Sequence, residues 1–110
     1  MKMIDVGAKP ATERVAVARA RLRMTRSTRA RVAAGQVEKG DVLAAARLAG
    51  VLAAKKTPDL IPLCHSISLS AVEMEVRLTA SGVEAVATVH TVDRTGVEME
   101  ALTAVSAAAL

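Results

Sequence analysis

The segment Asp59 to Ser70, DLIPLCHSISLS, sets the chain's single cysteine, Cys64, beside one of its two histidines, His65, just after Pro62. An imidazole held in a loop titrates near neutral pH and can pass a proton in either direction. Cys64 and His65 do not make an acyl-transfer dyad, because neighbours in an extended segment point to opposite sides. The bland alternative is a satisfied polar histidine next to a small buried thiol. A second group is Glu98, Met99 and Glu100, following Thr95 and Gly96. On a regular helix the two carboxylates diverge by roughly 160°, but at an irregular helix entry both would line one pocket. Against that stands a capping box, with Glu98 reaching back to the Thr95 amide and Glu100 favoured by the helix dipole. Third, Lys39 and Gly40 precede a helix, so an ammonium and free backbone amides meet where a phosphate binds well. A solvated lysine is the commoner outcome there, and Asp41 repels an anion unless it is consumed as a cap.

These groups must be carried by regular elements. Arg14 to Met24, RVAVARARLRM, alternates Val15, Val17, Arg19, Arg21 and Arg23 against Ala16, Ala18, Ala20, Leu22 and Met24, which predicts a partly exposed strand. A short helix follows, capped by Thr25 or Ser27 and stopped at Gly35 as C′ residue. The next helix begins at Asp41 as N-cap, carries Val42, Leu43, Ala46, Ala49 and Leu52 on one broad face, and ends on Lys55 and Lys56. Gly50 inside it costs up to about 1 kcal/mol relative to Ala, so close packing against a neighbour is expected. Thr57 caps a turn with Pro58 at its first position, and Pro62 ends it. Then LSAVEMEVRLTA and VEAVATVHTVD form an antiparallel hairpin about Ser81 and Gly82, and EMEALTAVSAAAL closes with a helix. The order predicts an α+β fold in which helices pack on one face of a small antiparallel sheet.

Composition narrows the function classes. The 110 residues form one domain, 1–110, with 52% hydrophobic and 24% charged residues, and no aromatic residue. The core is therefore aliphatic, and the rings on which single-stranded nucleic-acid binders stack bases are lacking. One cysteine gives neither an intrachain disulfide nor a cysteine zinc site. No signal-peptide core opens the chain and no run is apolar enough to span a bilayer, so the expectation is a soluble cytoplasmic protein with no membrane partner. The net charge of +4 divides into +9 for residues 1–56 and −5 for residues 57–110. Such asymmetry suits complementary surfaces, a solvated basic face, or an anion site.

IDVGAKPATERVAVARARLRM, KGDVLAAARLAGVLAAKKTPDLIPLCHSISLS and TGVEMEALTAVSAAAL together resemble successive blocks of the MoaC-type cyclic pyranopterin monophosphate synthases of molybdenum cofactor biosynthesis. The resemblance implies a ferredoxin-like fold, a homo-hexamer built as a trimer of dimers, and an active site at a subunit interface. It implies a lyase that turns 3′,8-cyclo-7,8-dihydroguanosine 5′-triphosphate into cyclic pyranopterin monophosphate and pyrophosphate by general acid-base catalysis. On the family pattern, Leu63, Cys64 and His65 match one substrate-binding segment, and Met99 and Glu100 a second. Lys39, His65, Glu98 and Glu100 fall on polar, proton-transferring positions of the pocket, and Arg14 on a basic one suited to phosphate. No nucleophile, resident metal or required cofactor is implied, although a triphosphate can bring its own Mg²⁺. Ser66 stands where the family commonly has proline. The family's Asp-x-x-Lys catalytic motif and lysine-rich tail lie beyond Leu110, so the resemblance implies a longer native protein. The competing readings are a catalytically dead nucleotide-binding scaffold and a basic nucleic-acid-binding module.

Overall fold

The computed structural model describes residues 1–38 and 40–110. Three strands and four helices follow in the order β1 (Thr12–Arg23), α1 (Arg26–Ala33), α2 (Val42–Lys55), α3 (Thr57–Leu60), β2 (Leu69–Leu78), β3 (Gly82–Asp93) and α4 (Glu98–Ala109). All strand pairs are antiparallel, and β3 lies in the centre, in the sheet order β1-β3-β2. Thr12 pairs with Asp93 and Arg23 with Gly82, while Leu69 pairs with Thr91 and Leu78 with Val83. A bulge at Leu69/Ala71 shifts the register at the start of β2. The result is the α+β, ferredoxin-like arrangement expected from the sequence.

The period-two patterns decide which sheet face is covered. Ala16, Ala18 and Ala20 of β1, Val72, Met74 and Val76 of β2, and Ala85, Ala87 and Val89 of β3 turn toward the helices. Helix α2 lies over β2, helix α4 lies over β1 and β3, and the two helices pack on each other. Val97, Ala101, Ala104 and Val105 of the α4 region complete a buried core made wholly of Ala and Val side chains. With no aromatic ring to fill space, helices and sheet must approach closely to exclude water.

Gly50 makes that approach possible. A Cβ at this position would stand 2.6 Å from Met74 Cε and 3.1 Å from the Ala104 carbonyl oxygen. The buried stripe of α2 accordingly runs through Gly50 and Ala54, with Leu43 and Ala46 packed beside it. Leu52, expected on the inner face, is turned outward, because only the smallest residues fit under α4.

The helix ends follow the sequence in part. Thr25 caps α1, its hydroxyl accepting from the Thr28 amide at 3.2 Å, and Asp41 caps α2 by accepting from the Ala44 amide at 3.0 Å. Gly35 follows α1 in the left-handed region, at φ 69°, and gives the expected stop. Two expected caps differ. Lys56 is the N-cap of α3, which makes Thr57 its first residue and Pro58 its second. The buried Thr57 hydroxyl instead donates to the Ala53 and Ala54 carbonyls, both at 3.0 Å, and ties α3 to the end of α2. At α4 the N-cap is Val97, without a side-chain cap bond, and Glu98 is the first helical residue. A capping box needs the acid at the third helical position, so Thr95 and Glu98 do not form one.

Candidate active site

The loop between α3 and β2 turns sharply at Leu63, whose φ is 64°. A leucine in the left-handed region costs roughly 1–2 kcal/mol, and the side chain is not repaid by burial, since it is 46% exposed. The turn sends the two following side chains to different partners. Cys64 Sγ lies 3.7 Å from Glu100 Oε2 and 3.7 Å from the His65 carbonyl oxygen. His65 Nε2 lies 2.7 Å from the Ile4 carbonyl oxygen in the N-terminal segment. The thiol and imidazole thus diverge, as expected for neighbours in an extended segment.

Glu100 is the chemically unusual group. It sits in the first turn of α4 at 2% exposure, among the most buried large side chains of the protein. Burial raises its pKa above the ordinary carboxylate value; its own amide and the Cys64 thiol act in the opposite direction, and the charge of Glu98 adds to the rise. The Cys64 thiol is raised as well, first by burial, then by the Glu100 charge and hydrogen bond. The pair therefore favours a neutral thiol beside a carboxyl that readily keeps or takes up a proton. That suits acid-base chemistry and works against a thiolate nucleophile.

The other predicted residues occupy distinct places. Glu98 is exposed at the start of α4, its carboxylate lying over Gly96. With α4 regular from Glu98 onward, Glu98 and Glu100 fall on different sides of the helix, one solvated and one buried. Met99, 42% exposed, lines an apolar depression with Leu60, Ile61 and Leu102. Arg14, near the start of β1, is half-buried, and its guanidinium donates to the Asp93 carbonyl at 3.2 Å and the Arg94 carbonyl at 3.4 Å. Those bonds hold it beside the loop that leads into α4. Lys39 lies outside the described residues. The structure thus brings Cys64 and Glu100 into contact and joins His65 to the N-terminal segment. Among the described residues, no group of three His, Cys, Asp or Glu side chains is placed to hold a metal ion.

Two features were not singled out from the sequence. One is the Ile4 carbonyl; backbone groups carry no sequence signal. The other is a charge cluster on the sheet face turned away from the helices. There Glu84 accepts from Arg21 Nε at 3.0 Å and Arg77 Nη2 at 2.9 Å, with Arg19 Nε at 3.6 Å. The Arg21 and Arg77 hydrogen bonds hold its carboxyl below the ordinary value, outweighing desolvation, and the charges of Arg19 and Arg77 act the same way. Period two puts all four side chains on one face, but only the strand register, in which Glu84 pairs with Arg21 on one side and Arg77 on the other, brings them together.

Residues 3–110 match the MoaC family. The chain is 60% identical over 111 residues to the cyclic pyranopterin monophosphate synthase of Roseiflexus sp. (strain RS-1), covering 99% of this chain and 70% of that protein. It is 58% identical to the protein of the same name from Heliobacterium modesticaldum, again over 99% of this chain and 70% of the relative. A third, from Novosphingobium aromaticivorans, is 54% identical over 99% of this chain and 69% of its own length. The match over residues 3–110, with identity at this level along nearly the whole chain, places the protein in the MoaC family.

Proposed function

We propose that this protein is a cyclic pyranopterin monophosphate synthase, a lyase of molybdenum cofactor biosynthesis. It converts 3′,8-cyclo-7,8-dihydroguanosine 5′-triphosphate to cyclic pyranopterin monophosphate with release of pyrophosphate. The observation that carries this reading is the 54–60% identity to three synthases of that name over almost the entire chain. Scaffold and nucleic-acid readings are not favoured, since those relatives bear an enzyme's name.

In this reading Glu100 and His65 handle protons. The buried carboxyl, with its raised pKa, is suited to hold a proton and deliver it to substrate, and the His65 imidazole is suited to pass one. Cys64 orients Glu100 through its hydrogen bond and takes no covalent part. Arg14 and Lys39 supply positive charge for the triphosphate, while Leu63 and Met99 offer apolar contact to the ring system. Glu98 is a further acid or base at the mouth of the site. No cofactor is required, and Mg²⁺ enters only with the triphosphate. The active assembly is a hexamer, a trimer of dimers, with the pocket at a subunit interface. Support for this comes from two apolar surfaces left open in a single chain: Val15, Val17 and Val92 on the uncovered sheet face, and Leu60, Met99 and Leu102 beside α4. The enzyme works in the cytoplasm; among the described residues no helix is long and apolar enough to cross a membrane.

The test is turnover of the cyclic triphosphate, followed as pyrophosphate release, in the parent and in His65→Ala. Loss of a proton-transfer group lowers turnover by roughly 10²-fold or more. Near-normal turnover in the variant would remove His65 from the reaction. Absence of pyrophosphate release from the parent, with the triphosphate still bound, would favour the scaffold reading instead.

A further inference from the structure

We propose that the N-terminal segment positions the His65 ring, the Ile4 carbonyl holding Nε2–H so that Nδ1 is the nitrogen left to exchange a proton. This rests on the role given to His65 above. The contact is short, 2.7 Å from Nε2 to the Ile4 oxygen. A carbonyl oxygen only accepts, so Nε2 must carry hydrogen in the neutral ring and in the imidazolium alike. The lone pair of the neutral ring is then confined to Nδ1. A free imidazole in water also favours Nε2–H, so the larger contribution of Ile4 is to orientation. It prevents the ring from turning over and fixes which edge is presented to a substrate.

The segment is shaped for this contact by polar links rather than by burial. The Ile4 side chain is 75% exposed, and most of residues 1–11 are exposed with it. Asp5 Oδ1 accepts from the Gly7 amide at 2.9 Å, and the Lys9 amide donates to the Val6 carbonyl at 3.1 Å. These two successive turns precede β1, which begins at Thr12, and hold Ile4 against the His65 loop. Asp5 is therefore a positioning residue at one remove: its carboxylate closes the turn next to the carbonyl that holds the ring.

The experiment reads the ring nitrogens by long-range proton–nitrogen NMR, with His90→Gln to assign the two histidines. The parent is expected to show His65 with hydrogen on Nε2, protected from solvent exchange and with a cross-relaxation contact to Ile4. Asp5→Asn keeps a side-chain oxygen acceptor and retains that protected signal. Asp5→Ala, and a form lacking residues 1–5, lose it, and in both kcat falls by about tenfold through misorientation of the ring while KM changes less. These residues lie outside the core, so folding is preserved. A neutral ring with its hydrogen on Nδ1, or an equally protected Nε2–H without residues 1–5, would overturn the proposal. Unchanged turnover in His65→Ala would strike only the underlying role of His65, and the NMR result decides the contact independently.

Discussion

Replacing Glu100 by Gln removes a charge from a position that is 2% exposed. The carboxyl has a raised pKa, caused first by burial, and among the described residues its side-chain donor is the neutral Cys64 thiol at 3.7 Å. A group whose native pKa exceeds its unfolded one favours folding while protonated, and that advantage is lost as pH rises through the native value. Parent stability therefore falls with pH above the ordinary carboxylate pKa, with a slope of at most about 1.4 kcal/mol per pH unit for one proton. Glu100→Gln lacks this slope. The amide NH₂ introduces donors of its own, and leaving one unpaired costs about 1–3 kcal/mol, but that cost does not vary with pH. The informative quantity is thus the difference between variant and parent in urea unfolding free energy, measured from about pH 4 to about pH 8. It should move in the variant's favour as pH rises. Cys64 does not interfere, because its thiol is also raised and stays protonated across this range. In the same variant, pyrophosphate release should drop by roughly 10²-fold. A difference constant with pH would show that Glu100 titrates normally in the native protein and would refute the argument from burial.

The opposite sign holds for Glu84. Its pKa is lowered, chiefly by Arg21 and Arg77, so its contribution is present above the unfolded pKa and disappears as pH falls through the native one. Glu84→Gln should be less stable than the parent at pH 7 and equal to it in strong acid, as read from denaturant midpoints; equal midpoints at pH 7 would mean the arginines contribute nothing. Gly50→Ala adds a methyl 3.1 Å from the Ala104 carbonyl and pushes Met74 aside. Helix propensity returns about 1 kcal/mol, overpacking costs about 1–3, and the net expectation is a loss of about 0–2 kcal/mol. Met74→Ala in the same chain should recover part of it, whereas strict additivity would show that Met74 is not the obstacle.

The sequence by itself determined the elements and the family. Period-two alternation in Arg14 to Met24 marked a partly exposed strand with two distinct sets of side chains, because side-chain direction in a strand is fixed locally. Asp41 declared its helix start and Thr25 was one of two candidates, with Ser27, for the other, because a cap bond spans only three residues. The motifs KGDVL, LIPLCH and TGVEMEALTAVS pointed to the MoaC family, which the comparison with known relatives bears out. Tertiary structure decided the rest. The N-cap of α4 is the buried Val97 rather than Thr95, a choice that the Thr95–Glu98 spacing does not encode. Leu52 faces outward because α2 and α4 approach at Gly50, a property of two distant segments. The raised pKa of Glu100 comes first from burial in the assembled fold, Glu84 draws in Arg21 from 63 residues away as well as the nearer Arg77, and Ile4 holds His65 across 61 residues of chain. Residue type names the groups able to do chemistry, but their protonation and orientation depend on desolvation and long-range contacts, and these exist only once the chain has folded.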